Sequence, residues 1–312
     1  MEDTVESIAY EAWYQPFGFR LRLLSNSQHI IEAAEVSFGR FGHVPPGDGP
    51  DFTFTFFERG QGNSITGQPE FYHAGPIARQ DMGEQAGLTI NRQTGAAEGF
   101  FSPAVVTDRP FFRWYFLDLS FYWMLASRGV MGLHGAALVK DGRAVLLRAQ
   151  SGGGKTTLAY AGARQRFQAL AEDVVWIDLR RGLWRGAPWT FHLLPDARTL
   201  FPELAGYEPL LQTNGELKLE VDLETIRPGS AVTSARPGRV VLVERLAGGR
   251  SRLEPLNLAA AKTFWRQGVT GTETAFPDYE GHIDDLLRDN TYHLYFGDDI
   301  DGGVSLLETL FA

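Results

Sequence analysis

Lys155 follows three consecutive glycines, Gly152 to Gly154, and precedes Thr156 and Thr157. Glycines in that run let successive backbone N–H groups turn inward as an anion nest, and a helix opening at Lys155 adds the positive end of its dipole at the same point. Ser151, Gly152, Gly153, Gly154, Lys155, Thr156 and Thr157 then form a nucleotide-phosphate cradle. Lys155 would neutralise the β- and γ-phosphates, and the Thr156 hydroxyl would ligate Mg²⁺. The apolar run Ala144-Val-Leu-Leu before the loop predicts a strand, and Lys155 to Gln165 predicts a helix, which is the order the motif GxxxxGK(S/T) requires. Its first glycine is Ala149 here, a change that is harmless if the loop is entered at negative φ and costly otherwise. A glycine-rich surface loop is the bland alternative, and the flanking strand and helix weigh against it.

Two further features keep fixed distances from Lys155. His134-Gly135 lies 21 residues upstream, and the carboxylates Glu172-Asp173 lie at a strand end, Asp173 being 18 residues downstream. A carboxylate facing a γ-phosphate can align a hydroxyl and take its proton, which suits Asp173, while Glu172 suits a metal-side role; sequence alone leaves their division open, and both are candidate Mg²⁺ ligands beside Thr156. His134 would orient Asp173 or the substrate oxygen, or else make a structural hydrogen bond at a strand start. Val174-Val-Trp-Ile-Asp178 is a competing Walker B strand with Asp178 on the metal. His192 and His293, in aromatic company, read as core or rim residues, and Asp298-Asp-Ile-Asp-Gly reads as an acidic turn because a calcium loop's closing Glu is missing.

The succession of His-Gly, hairpin, Ser-Gly-x-Gly-Lys-Thr loop, helix and acidic pair resembles the catalytic core of bacterial HPr kinase/phosphorylase. That family's catalytic set is the His, the loop Lys and the second acidic residue, which implies His134, Lys155 and Asp173; its usual first Asp is Glu172 here. Ala235-Arg-Pro-Gly-Arg looks like the segment leading into a late strand of the family, which implies that Arg236 and Arg239 line the phosphoryl-transfer site, where guanidinium groups offset charge. The likeness runs from about Gly132 to Ala247. The family's Glu-x-Arg-Gly-Leu-Gly signature is absent, the corresponding stretch being Leu183-Trp-Arg-Gly-Ala-Pro-Trp; Asp196 and Glu203 are the candidates to replace its metal carboxylate, and phosphorolysis is not implied.

The resemblance implies an ATP- and Mg²⁺-dependent serine kinase acting on a Ser/Thr hydroxyl of a small protein or peptide. Divergent relatives in gene clusters for modified peptides, including lasso peptides, phosphorylate a precursor peptide, and the pared-down core looks more like these. The family's hexamers imply a homo-oligomer. A P-loop ATPase or nucleotide-dependent binding module without an acceptor is the alternative, and a small-molecule kinase stays open. A GTPase is disfavoured for want of an Asn/Thr-Lys-x-Asp motif, and an ABC-type ATPase for want of Ser-Gly-Gly-Gln.

The chain around these residues is large enough to build cores, with 312 residues and 44% apolar side chains. Its net charge of −9, without a Lys/Arg run, argues against nucleic acid as a partner. The absence of cysteine removes disulfides and thiolate chemistry. The acidic start Met1-Glu-Asp-Thr-Val-Glu lacks the basic and apolar regions of an export signal, which predicts a cytoplasmic protein. Pro110 to Ala126 is interrupted by Arg113 and Asp118 and falls short of the roughly 20 apolar residues of a membrane span, so a buried aromatic helix from about Phe111 to Ser127 is expected, and no membrane partner. Short alternating runs from Glu6 to Ser102 predict a β-rich region, and strands near 136–139, 144–147, 167–171, 174–178, 217–221 and 240–243 interleave with helix. The expectation is an α/β protein with a β-rich N-terminal recognition domain, residues 1–109, and a P-loop HPr kinase-like C-terminal domain, residues 110–312.

Overall fold

Alternation of apolar and polar side chains builds the first sheet. The structure, a computed structural model, describes residues 7–47, 49–62, 64–212, 215–246 and 248–311; the acidic start Met1–Glu6 and Ala247, the end of the stretch carrying the resemblance, lie outside them. Seven strands, β1 (Tyr10–Tyr14), β2 (Leu21–Ser25), β3 (Phe52–Glu58), β4 (Glu70–Ala74), β5 (Ile77–Asp81), β6 (Ala86–Asn91) and β7 (Ala96–Phe101), lie in the order β1-β2-β3-β7-β6-β5-β4. In β3, Phe52, Phe54 and Phe56 are buried while the threonines between them face the other side. Helices α1 (Gln28–Phe38), α3 (Arg109–Phe112) and α4 (Leu119–Ser127) supply Phe38, Phe112 and Phe121 to that phenylalanine layer, and α2 (Pro103–Thr107) buries Val105 and Val106. Alpha helix α1 has no counterpart in the β-rich expectation; Ile30, Ala33, Ala34 and Phe38 at helical spacing make it.

A π-helical turn, Arg113–Asp118, joins α3 to α4. The wider turn changes which residues face inward: Tyr115, Phe116 and Leu117 are buried, whereas Trp114, expected on the buried face, is 45% exposed. Gly129 at φ +76° follows the last turn, as a glycine beyond a helix C-terminus does. The chain divides into two units between Arg128 and Gly129 rather than at 109/110. The reason is that the rings of the aromatic helical run fill the face of the first sheet, and Arg128 itself donates to the Asp51 carbonyl at 3.0 Å. Among the described residues no helix is long and apolar enough to cross a membrane.

The second unit is mixed α/β. Strands β8 (Val130–His134), β9 (Ala136–Lys140), β10 (Arg143–Ala149), β11 (Gln168–Ala171), β12 (Val174–Asp178) and β13 (Leu183–Arg185) are followed by a small sheet of β14 (Thr190–Leu193), β15 (Leu210–Leu211) and β16 (Leu217–Asp222), then by β17 (Ser234–Arg245), β18 (Arg252–Pro255) and β19 (Thr291–Phe296). The main sheet runs β11-β9-β10-β17-β13-β12-β8, with β19 beside β17 and β18 beside β19. Among the described strands of this sheet the parallel ladders are β10–β17 and β17–β19, so the sheet is less regularly α/β than the alternation predicts. The β9–β10 hairpin forms at Asp141-Gly142, both at positive φ as a type I′ turn requires.

Helices α5 (Lys155–Ala163), α6 (Ala197–Leu200), α7 (Leu223–Ile226), α8 (Leu258–Trp265), α9 (Gly271–Thr274), α10 (Tyr279–Leu287) and α11 (Ile300–Glu308) complete the unit. Residues of α5 and α11 share one core with Val241 and Val243, while α8 and α10 share the other with Val240 and Leu242. Burial on both faces is why Val240-Val-Leu-Val is an unbroken apolar run. The C-terminal aromatic stretch Tyr292 to Phe296 is all of β19 after Thr291.

Candidate active site

Strand direction brings three connections to one edge of the sheet. Both β10 and β11 run antiparallel to β9, so the loop after β10 and the Glu172-Asp173 turn after β11 emerge on the side where His134-Gly135 leads into β9. The Gly135 N–H donates to the Asp173 carbonyl at 2.8 Å, which ties two of the connections together.

The loop has the features of an anion cradle. Gly152 and Gly154 adopt φ +77° and +85°, where L side chains are strained. A Cβ on Gly153 would sit 2.8 Å from that of Ala149 and 3.0 Å from the Gln150 carbonyl oxygen, and one on Gly154 would sit 2.8 Å from the Phe296 ring, so neither position admits a side chain. Ala149 is a buried strand residue without positive φ, and the missing first glycine is therefore accommodated. Helix α5 starts at Lys155, and the Leu158 N–H donates to the Gly154 carbonyl at 2.9 Å. Ser151 and Thr157 flank the cradle in the chain, in the loop and in the first turn of α5.

Lys155 is buried, with Nζ donating to the Glu172 carbonyl at 3.0 Å and lying 3.5 Å from Asp173 Oδ1. The Thr156 hydroxyl donates to Glu172 Oε1 at 2.8 Å. His134 Nδ1 lies 3.2 Å from Asp173 Oδ1. Burial alone would raise the pKa of Asp173, but the hydrogen bond from His134 and the charge of Lys155 outweigh it and hold the carboxyl well below the ordinary carboxylate range. Its side chain is nevertheless 61% exposed, open to an incoming hydroxyl.

Of the sequence-predicted residues, His134, Lys155, Thr156, Glu172 and Asp173 come together with the glycine loop. Arg236 and Arg239 do not. They pair across β10 with Arg143 and Val145, toward the hairpin end of the strands, and Val145 is four residues before Ala149, about 13 Å at strand rise. Arg236 donates to the Asp141 carbonyl at 3.3 Å, and Arg239 hydrogen-bonds Asn290. The Walker B candidate Asp178 ends β12 at the end opposite Asp173, buried against Arg181 and Arg185. Glu203 is engaged by Tyr160 late in α5 and by Arg164 just after it, and Asp196 precedes α6.

Two residues join the site that the sequence did not assign to it. His192, expected in the core or at its rim, lies on β14 with Nδ1 3.3 Å from Glu172 Oε2; that hydrogen bond holds its imidazole above the ordinary pKa, against the opposing pull of burial. Arg245 follows Val243, the partner of Ala149, and so stands at the loop edge, bound to Asp298 at 3.0 Å and to the Gly297 carbonyl at 2.9 Å. His293 sits between Phe264 and Tyr295 and pairs with Glu244, a rim residue of the core as expected.

The donor set fits a nucleotide-bound Mg²⁺ rather than an all-protein cage. No cluster of three or more His, Asp or Glu that could hold a metal occurs among the described residues, and Mg²⁺ beside nucleotides takes one or two carboxylates with phosphate and water oxygens. Thr156 and Glu172 would hold it.

No protein-family model matches the chain, and no curated protein does. Among solved structures the chain is similar to the HPr(Ser) kinase/phosphatase from Coxiella burnetii, at 14% identity and a TM-score of 0.29, over 58% of this chain and 93% of that one. The likeness is distant.

Proposed function

We propose that the protein is an ATP- and Mg²⁺-dependent kinase that transfers the γ-phosphoryl group to a Ser or Thr hydroxyl of a small protein or peptide. The observation that carries the reading is the convergence of a glycine cradle, Lys155, the Thr156–Glu172 pair and the His134–Asp173 pair at one sheet edge.

The backbone N–H groups of the loop bind the phosphates, and Lys155 exchanges its carbonyl contact for phosphate oxygen, offsetting charge on the transferred group. Thr156 and Glu172 hold the metal, which when bound adds charge neutralisation and alignment. Asp173 aligns the acceptor hydroxyl. As the new O–P bond forms and the bridging bond to ADP breaks, the hydroxyl proton passes to the Asp173–His134 pair, where the imidazole on Nδ1 stabilises the carboxylate's position. His192 steadies Glu172 from the other oxygen.

The exposure of Asp173 supports a second reading. A carboxylate open to solvent aligns water as readily as a hydroxyl, which would make the protein a nucleotide-hydrolysing switch. Incubation with Mg²⁺-ATP and serine-bearing peptides, followed by mass measurement, separates the two: a phosphorylated acceptor supports the kinase, and ADP release without any acceptor supports the switch.

A further inference from the structure

Behind the site lies a buried ion pair that the chemistry above does not use. Arg148 immediately precedes Ala149 on β10, and its side chain is 2% exposed; Glu273 on α9 is 3% exposed. The two are bidentate, Nη1 to Oε1 at 3.2 Å and Nη2 to Oε2 at 3.0 Å. Tyr279 donates its hydroxyl to Glu273 Oε2 at 3.0 Å, Trp265 Nε1 donates to the Tyr279 oxygen at 2.9 Å, and the Trp265 ring lies under the guanidinium at 4.0 Å.

Two further hydrogen bonds of this pair go to one residue of the site. The His134 backbone N–H donates to Glu273 Oε1 at 2.9 Å, and the His134 carbonyl accepts from Arg148 Nη1 at 3.0 Å. Strand β8 is the last strand on its side of the main sheet, so His134 finds these partners where a neighbouring strand is lacking. Arg148 Nη2 also reaches the Gly268 carbonyl at 2.8 Å, and Gln150 of the loop hydrogen-bonds Gln267, so the segment bearing Glu273 is fastened to the phosphate loop as well. A buried ion pair is a poor source of stability, since apolar residues of the same volume do as well or better. Its geometry here is suited to fixing position.

We infer that Glu273 and Arg148 are positioning residues that set the His134 imidazole against Asp173 and hold it in register with the phosphate loop. The inference rests on the kinase reading for its kinetic consequence, while the orientation of His134 is testable without turnover.

The test replaces the pair together, Arg148→Met with Glu273→Leu, and compares it with Arg148→Met with Glu273→Gln. The double replacement is expected to fold, because no buried charge is left unpaired. The ¹⁵N resonance of His134 Nδ1 is expected to move to the position seen in Asp173→Asn, where the bond to the carboxylate is weakened. With an acceptor found, kcat is expected to fall by about 10²-fold, the effect of a displaced catalytic group, while ATP affinity and KM stay nearly constant. Arg148→Met with Glu273→Gln, which keeps the acceptor oxygen for His134 and leaves no buried charge unpaired, is expected to recover part of the loss. A folded Arg148→Met, Glu273→Leu variant with the wild-type His134 resonance overturns the inference, and so does a loss of nucleotide affinity equal to the loss of kcat. If the wild type transfers no phosphoryl group to any acceptor, the kinase reading fails and the resonance alone decides the positioning role.

Discussion

His134 Nδ1 lies 3.2 Å from Asp173 Oδ1 although the two residues belong to different strand connections. Lys155 faces the same carboxylate oxygen from 3.5 Å, so one carboxylate is shared between an imidazole and the loop ammonium. A phosphate that draws Lys155 away leaves the His134–Asp173 pair to the acceptor. Asp173→Asn is expected to lower kcat by about 10²-fold or more, the size of a general-base contribution, while ATP binding persists. Calorimetric titration with ATP alongside acceptor phosphorylation checks both parts, and retained turnover would move the base to Glu172.

Lys155 is more than a surface loop lysine. A lysine in a glycine loop is expected to carry little of the packing, yet this one is 8% exposed and donates to the Glu172 carbonyl. Lys155→Ala is therefore expected to abolish transfer and also to cost about 1 kcal/mol of stability, the worth of one hydrogen bond. Denaturant unfolding measures the second effect; a variant that unfolds outright would mark the loop as structural.

Glu172 holds Thr156 through one oxygen and His192 through the other. Glu172→Gln is expected to raise the Mg²⁺ concentration needed for half-maximal activity by about tenfold or more, as changes around metal ligands do. A magnesium titration at saturating ATP reads this directly, and an unchanged midpoint would take Glu172 out of the metal site.

Arg236 and Arg239 lie toward the hairpin end of β17, away from the loop. Alanine at either position is expected to change turnover less than about twofold, as for sites well separated in space. A loss of several orders of magnitude would show that a second copy of the chain brings these residues to the site.

The first unit has a pH dependence of its own. Burial raises the Asp118 carboxyl to about 6 from 3.8, against the opposing effects of Arg113 and Ser37. The folded state therefore keeps a proton that the unfolded chain has released, and this contribution to stability is present below about pH 4 and lost as pH rises through about 6. Over that window the loss is at most about 3 kcal/mol, two pKa units' worth. Asp118→Asn is expected to remove that slope, so the stability difference between variant and wild type should shift in the variant's favour between pH 4 and 7. A difference independent of pH would contradict the assignment.

What the sequence made legible is what is local. The loop, its helix and the Asp141-Gly142 hairpin follow from short-range rules, and His134 and Glu172-Asp173 stand close enough in sequence to the loop for their spacing to be informative. Arg148 and Glu273 are 125 residues apart, and no periodicity announces a buried ion pair between them. His192 reaches Glu172 from β14 of the small sheet, whose pairing with β16 is non-local, so its aromatic neighbours were the only visible signal and pointed to the core. The arginines of Ala235-Arg-Pro-Gly-Arg misled for a physical reason: β17 runs twelve residues from Ser234 to Arg245, and it is the arginine at its far end that stands beside the loop. The aromatic helical run divides with the first unit because burial of its rings, rather than the change of period along the chain, decides where it packs.

The central claim is transfer of a phosphoryl group to a hydroxyl, and intact-mass spectrometry of the protein with Mg²⁺-ATP and a panel of serine-containing peptides tests it most directly. A gain of about 80 Da, one phosphoryl group, is expected on an acceptor, and its loss with Lys155→Ala and with Asp173→Asn. ADP release with no mass gain on any acceptor would contradict it and leave a nucleotide-hydrolysing switch in its place.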